Sequence, residues 1–308
     1  MVRLAFKLIA LSLMVMIFVG IIVVIVPHDT NNYLAAARDK HQRLNSVKAP
    51  RIIFVGGSNL AFGIDSERIQ NSFDLPVINM GLHGDVGLRF MLNEVQPVLR
   101  EGDIVLLFPE YEHFYEISLD GLPRELGSVV KFCPECLSAV NTPGQLLNLA
   151  AGILQTSEGD LLRMIRRPEK PDHVYSRQAF NQWGDVVSHL EKADKLRPNN
   201  HVYEIEVSSA HPAIDLLNSF YESENGINAE IFFLFPAIPI DEYKAQEAEF
   251  LAVHDLILSD LKIPILGTPQ DFVYPEDFFY DTVYHLNRVG RDARTDHVIE
   301  LLSAALQD

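Results

Sequence analysis

Short apolar runs alternate with longer amphipathic stretches through most of the chain. The runs are consecutive and rich in β-branched residues, which is typical of strands buried on both faces, and segments with helical periodicity follow most of them. This alternation predicts an α/β fold with a parallel sheet covered on both sides. The predicted strands are Ile52–Val55, Val77–Ile78, Ile104–Phe108, Ile231–Phe235 and Ile263–Leu266, and the predicted helices include Val86–Leu99, Asp241–Leu261 and Arg291–Leu306.

The N-terminal apolar run has a different length and predicts a different element. Leu8 to Val26 contains nineteen residues without a charge, which is long enough for a bilayer and longer than the core of a secretory signal peptide. Arg3 and Lys7 precede it, whereas His28 to Tyr33 carry no Lys or Arg. The pattern predicts an uncleaved transmembrane signal anchor, a single-pass cell-membrane location, and a domain outside the cytoplasm (periplasmic in a Gram-negative cell).

The remainder divides into a stalk and one large domain. Residues 1–27 form the cytoplasmic N-terminus and anchor, residues 28–50 a polar, partly helical stalk, and residues 51–308 the α/β domain. The alternation of strands and helices breaks between about residues 119 and 207. We expect this interval to be an insertion that covers or lines the site.

Composition narrows the classes of function. The formal net charge is −17, and the sequence has no basic patch with interleaved aromatic residues, which argues against a nucleic-acid partner. The two cysteines, Cys133 and Cys136, are three positions apart and lack the second ligand pair of a structural zinc site. They predict a local disulfide or idle thiols, with a metal or redox role as the alternative. No cofactor or metal is expected.

A serine directly follows the first predicted strand and two glycines, in "IIFVGGSNLAFGIDS". Ser58 thus lies at the carboxyl end of a strand, where open α/β sheets place their ligands. It is either a nucleophile or the cap of the next helix. Asp281 and His285, four positions apart in "DTVYHLNRVGRDART", would share one face of a helical turn and supply an orienting carboxylate and a base.

A third segment, "VINMGLHGDVGL", follows the second predicted strand. Gly81 and Gly84 would allow a backbone N–H to approach a ligand closely, as an oxyanion hole requires, although a plain turn before the next helix explains the same glycines.

Together these segments resemble the SGNH hydrolases, the GDSL-type esterases and acyltransferases. "FVGGSNLAFGIDS" is similar to the first block of that family, "INMGLHGD" to the second and "DTVYHLNRVG" to the last. The resemblance covers roughly residues 51–110 and 229–302. It implies a flavodoxin-like three-layer α/β/α fold and a catalytic triad of Ser58, His285 and Asp281, with the N–H groups of Ser58 and Gly84 forming the oxyanion hole.

The sequence departs from the family pattern at three points. Gly57 replaces the usual aspartate before the serine, and the Asp–His spacing is one residue longer than usual. The third block normally supplies an asparagine to the oxyanion hole, but "IVLLFPEYEHF" has none. Asn59 or Tyr111 is the candidate for that donor, whereas Glu110 would repel an oxyanion unless it were protonated or pointed elsewhere.

The resemblance, more narrowly to a membrane-anchored branch, implies a serine acyl-esterase or O-acyltransferase that acts on a cell-envelope glycan, with a multi-span membrane O-acyltransferase as the supplier of acyl groups. Two alternatives stay open. One is a catalytically inactive SGNH-like module that binds glycan or serves as a scaffold, and the other is a structural protein in which Ser58 only caps a helix.

Overall fold

The structure is a computed structural model, and it describes most of the chain. The described residues are 3, 7, 14, 28–114, 119–165, 173–192, 196–197, 200–202, 207–224 and 226–307.

Helices and strands alternate, as the hydrophobic pattern predicts. The strands are β1 (Ile52–Gly56), β2 (Val77–Asn79), β3 (Ile104–Phe108), β4 (Glu230–Phe233), β5 (Ile238–Pro239) and β6 (Val273–Tyr274). The helices are α1 (Ala36–Ser46), α2 (Ser58–Ala61), α3 (Ser66–Phe73), α4 (Leu88–Val95), α5 (Pro123–Phe132), α6 (Pro143–Ile165), α7 (His211–Ser223), α8 (Ile240–Ala245), α9 (Glu247–Asp260) and α10 (Arg288–Ala305).

Four of the strands form one parallel sheet in the order β2-β1-β3-β4. The register aligns Ile52 with Val77 on one side and with Ile104 on the other. β1 and β3 are buried along their whole length, which explains their unbroken apolar sequence. Ile265 adds a parallel bridge beyond β4, so the fifth predicted strand is reduced to a single pairing.

Helices cover both faces of this sheet. Crossover connections between parallel strands are right-handed. From β1 the chain goes to β2 at one edge of the sheet, and from β2 it returns past β1 to form β3 on the other side of β1. The helices α3 and α4 of these two crossovers therefore lie on opposite faces. The contacts agree, since α10 packs on α3 whereas α7 packs on α4. The parallel α/β architecture predicted from the sequence is confirmed.

Two of the predicted helices are interrupted where one residue leaves the helical backbone conformation. The segment predicted as Asp241–Leu261 is two helices, because Gln246 leaves helical dihedral angles with φ −135° and ψ 35°. The segment predicted as Val86–Leu99 begins with a 3₁₀ turn at Gly84–Val86, and the positive φ of Gly87 separates that turn from α4.

The predicted transmembrane anchor requires a correction. Leu8 to Val26 lie outside the described residues, apart from Met14. Over the described part of the chain, no helix combines the length and apolar character needed to cross a bilayer. The longest helix there, α6, carries Glu158, Asp160 and Arg163 among its 23 residues. This finding contradicts the predicted anchor and the single-pass cell-membrane localisation that depended on it.

Candidate active site

The two glycines before Ser58 allow close approaches from β3 and from the loop that follows it. Gly56 pairs with Phe108 in the sheet, and a methyl group on Gly56 would overlap the Phe108 carbonyl oxygen. A methyl group on Gly57 would overlap the carboxyl of Glu110. Ser58 then begins α2 at the carboxyl edge of the sheet. The double glycine therefore brings the serine and Glu110 together.

Asp281 and His285 form a hydrogen-bonded pair, as their spacing predicts. The imidazole donates from Nδ1 to Oδ1 of Asp281 over 2.9 Å, although the intervening residues form a turn rather than a helix. The carboxylate is fully buried and the imidazole is 5% exposed. Phe62 stacks on the imidazole with ring centres 3.9 Å apart and the planes 9° from parallel. The ring is therefore held in one orientation, and a proton on Nδ1 leaves Nε2 as its basic nitrogen.

Two residues of the insertion contact the same carboxylate. The Tyr175 hydroxyl donates to Oδ2 of Asp281 at 2.5 Å, and Arg197 donates to the same oxygen at 2.9 Å. Burial raises the pKa of Asp281, but the hydrogen bond and charge of His285, aided by Tyr175 and Arg197, outweigh it and hold that pKa below its usual value. Asp281 is thus kept ionised beside the imidazole.

The hydroxyl of Ser58 is directed to Glu110. It donates to Oε1 of Glu110 at 3.3 Å, and the backbone N–H of Asn59 donates to the same oxygen at 2.9 Å. Across the described residues, no hydrogen bond joins Ser58 to His285. The structure therefore places all three predicted triad residues at one site but joins only two of them directly.

Asn59 points away from the cavity that Ser58 lines. Its side chain is fully buried and donates to the carbonyl of Phe108 and to Oε1 of Glu110. Arg294 of α10 donates to the Asn59 carbonyl at 2.7 Å and to its Oδ1 at 3.0 Å. Arg294 is itself fully buried, and burial lowers its pKa to about 10. The side-chain amide of Asn59 is thus engaged in holding Glu110 rather than facing a substrate.

Tyr111, the other candidate for an oxyanion donor, is also turned inward. It is 2% exposed, and its ring packs edge-on against Phe250 with centres 4.6 Å apart. The residue that does reach Ser58 from the loop after β3 is its neighbour Glu110.

Gly84 lies against the other side of the Glu110 carboxyl. A methyl group on Gly84 would overlap Oε2 of that carboxyl. His113 fixes this approach, because its Nδ1 accepts from the backbone N–H of Glu110 at 2.9 Å and its Nε2 donates to the Gly84 carbonyl at 2.9 Å. The predicted oxyanion glycine is therefore next to Glu110 and on the same side of the sheet as Ser58.

These groups open into one cavity of about 670 Å³, most of whose lining residues have polar side chains. Ser58, Gly84, Glu110 and His285 line it, together with further polar side chains from the loops around the sheet edge. Those side chains are His83, Asp85, Glu112, His113, Tyr175, Asn200, His201, Thr282 and Tyr284. Tyr175, Asn200 and His201, from the interval between residues 119 and 207, therefore line this cavity.

The cysteine pair is the remaining candidate for a metal or redox site. Cys133 and Cys136 form a disulfide. Of the residues that the structure describes, His41 and these two sulfurs form the group with the spacing of metal ligands. The disulfide leaves neither sulfur as the thiolate that zinc requires.

Reasoning from sequence missed Tyr175, Arg197 and Arg294 as parts of the site. Tyr175 and Arg197 come from the insertion, about 85 to 105 residues before Asp281, and their sequence context carries no motif. Arg294 lies in the helix after His285, and the sequence of that helix does not distinguish a buried arginine from a solvent-exposed one.

In comparisons with known proteins, neither a family model nor a curated protein matches this chain.

Proposed function

We propose that this protein transfers acyl groups from esters through a covalent intermediate on Ser58. The observation that carries the proposal is the Asp281–His285 pair, whose imidazole lines the same open cavity as a serine at the carboxyl edge of a parallel sheet. A serine needs a base to become a nucleophile, and an imidazole held through Nδ1 by a carboxylate is such a base.

The reaction runs in two balanced steps. His285 takes the proton of Ser58 on Nε2, the serine oxygen attacks the ester carbonyl, and the alcohol leaves with that proton. Water or a sugar hydroxyl then gives its proton to His285 and takes the acyl group from the serine, and His285 returns that proton to the Ser58 oxygen as the acyl–serine bond breaks. The N–H groups of Ser58 and Gly84 are the proposed donors to the oxyanion in both steps.

For the first step the Ser58 hydroxyl must turn from Glu110 towards His285. Catalytic hydrogen bonds are often long or misaligned without substrate, so the 3.3 Å bond to Glu110 is compatible with this movement. An acyl-bearing or acyl-accepting glycan is the proposed substrate. The resemblance to SGNH esterases and acyltransferases supports it, and so does an open cavity with many polar groups that can bind sugar hydroxyls.

Turnover of a chromogenic acetyl ester by Ser58→Ala, His285→Ala and the double variant tests the proposal. Members of a triad act as a unit, so each single change should reduce turnover by about as much as both together, on the order of 10³–10⁶. Independent, additive losses would contradict the triad.

The contact between Ser58 and Glu110 favours a second candidate function. A carboxylate that holds the serine hydroxyl could mark a catalytically silent module that binds glycan. That function predicts glycan binding by the wild type and by Ser58→Ala alike, with no turnover by either protein.

A further inference from the structure

Four side chains with metal-binding atoms meet where α1, α4 and the end of α5 come together. His41 lies on α1, Glu94 lies on α4, and Cys133 and Cys136 directly follow α5. One ring nitrogen of His41 and the two sulfurs lie within 4.8 Å of one another.

Glu94 brings a fourth donor to this group. Its Oε1 is 3.1 Å from Nδ1 of His41 and 3.5 Å from Sγ of Cys136. Zinc–ligand distances of about 2.0–2.3 Å place neighbouring ligand atoms of a tetrahedral site about 3.3–3.8 Å apart. The two distances from Glu94 are therefore close to those of a zinc site.

The polar surroundings of the two sulfurs fit a reduced pair better than a disulfide. The sulfurs of a disulfide carry no proton, so the contact between Sγ of Cys136 and Oε1 of Glu94 is a hydrogen bond only when Cys136 is a thiol. Both cysteines are fully buried, whereas the side chains of His41 and Glu94 are 20% and 10% exposed. The exposed edge of this pair gives an ion a path from solvent to the sulfurs.

We propose that the reduced protein binds one zinc ion through the Sγ atoms of Cys133 and Cys136, Nδ1 of His41 and Oε1 of Glu94. This inference is independent of the proposed acyl transfer, because these four residues are separate from those that line the cavity around Ser58. The disulfide links residues only three positions apart, whereas the ion would join α1, α4 and the end of α5.

The chemistry has two steps. A dithiol reductant gives two electrons and two protons to the disulfide and is itself oxidised to a disulfide, which leaves Cys133 and Cys136 as thiols. Zn²⁺ then displaces the two thiol protons, which pass to solvent, and bonds to both thiolates. When His41 is neutral with its proton on Nδ1, that proton moves to Nε2 by exchange with water, so that the Nδ1 lone pair binds the ion.

The test uses Co²⁺, because it occupies tetrahedral zinc sites and its absorption spectrum reports the ligands. Protein reduced with dithiothreitol, and freed of it by gel filtration under nitrogen, should bind one Co²⁺ per chain. The complex should show the intense visible bands of tetrahedral cobalt and a sulfur-to-cobalt charge-transfer band, and Zn²⁺ should displace the ion. Protein that keeps its disulfide should show none of these bands.

Substitutions identify the ligands. Cys133→Ser and Cys136→Ser should each weaken the binding of Zn²⁺ by more than about 100-fold and reduce the charge-transfer band, since loss of a residue that only orients a ligand already costs about 10–100-fold. His41→Ala should weaken binding by a similar factor. The matched control is His211→Ala, which removes a surface histidine paired with Asp260 and should bind Zn²⁺ as the wild type does.

Two results would overturn the proposal: a reduced wild type without the charge-transfer band, and a His41→Ala variant that binds as tightly as the wild type. If reduction alone unfolds the chain, Zn²⁺ should restore its far-UV circular dichroism, and a chain that stays unfolded with Zn²⁺ would equally overturn it. These measurements do not use ester turnover, so failure of the proposed acyl transfer would leave them unchanged.

Discussion

At the scale of single residues, the proposed chemistry depends on which side chains are fixed by their contacts and which remain able to react. His285 is fixed by Asp281 on one edge and by Phe62 across its face. Asp281 in turn has partners on both oxygens, His285 on Oδ1 and Tyr175 and Arg197 on Oδ2. This carboxylate therefore sets the tautomer of the imidazole, which makes it the sharpest single position for a test.

Asp281→Asn should retain the fold and lose about 10⁴ in turnover, because an amide no longer requires a proton on Nδ1 of His285. Steady-state kinetics and far-UV circular dichroism on the same preparation check this. Tyr175→Phe is the matched control, since it removes a hydroxyl that donates to Asp281 and lies 3.2 Å from Nδ1 of His285 but leaves the Asp281–His285 bond, and we expect a loss of about tenfold. Equal losses in the two variants would mean that the carboxylate does not act on the tautomer.

At the scale of elements, buried polar side chains join segments that are distant in sequence. Lys40 of α1 is fully enclosed and donates to the carbonyl of Asn79 at the end of β2 and to that of Gly184 in the insertion. Burial lowers the pKa of Lys40 to about 7, although Asp185 and other carboxylates partly oppose the shift. One side chain thus links the N-terminal helix, the sheet and the insertion.

Lys40 gives the stability of the fold a pH dependence. Between about pH 7 and 10.5 the unfolded chain holds a proton on this lysine that the folded chain lacks, so stability should rise with pH in that window. Urea unfolding should show a slope of up to about 1.4 kcal/mol per pH unit in the wild type that Lys40→Met lacks.

Arg43→Met is the matched control for this slope. Arg43 is on the same helix and donates to the Val77 carbonyl, but it does not titrate in this pH window. It should keep the wild-type slope, and a wild-type slope in Lys40→Met would contradict the assignment to Lys40.

The sequence predicts those parts of the site that local patterns encode. Ser58 after an apolar strand and the spacing of Asp281 and His285 are local signals, and the structure brings these residues to one cavity. The position of Glu110 was not predictable, because only the register of β1 against β3 shows which residue of the loop after β3 reaches Ser58. Contacts from the insertion, such as that of Tyr175, depend on packing between segments without a shared pattern.

At the scale of the whole molecule, one side of the sheet gathers segments from nearly the full length of the chain. Ser58, Gly84, Glu110, Tyr175 and His285 come from five separate segments of the chain and line one cavity. The sheet order β2-β1-β3-β4 explains this convergence, since the carboxyl ends of parallel strands meet at one edge. The interval between residues 119 and 207 adds lining residues to this cavity, such as Tyr175, that do not come from the ends of the strands.

The central claim is that Ser58 is an activated nucleophile, and reaction with a fluorophosphonate tests it most directly. The serine oxygen displaces fluoride from phosphorus, so mass spectrometry of the whole protein followed by peptide mapping should find one adduct per chain, on Ser58. His285→Ala keeps the serine but removes its base, so it should react more slowly by about 10³ or more. A natively folded wild type without an adduct on Ser58, or a Ser58→Ala variant labelled to the same extent, would contradict the account.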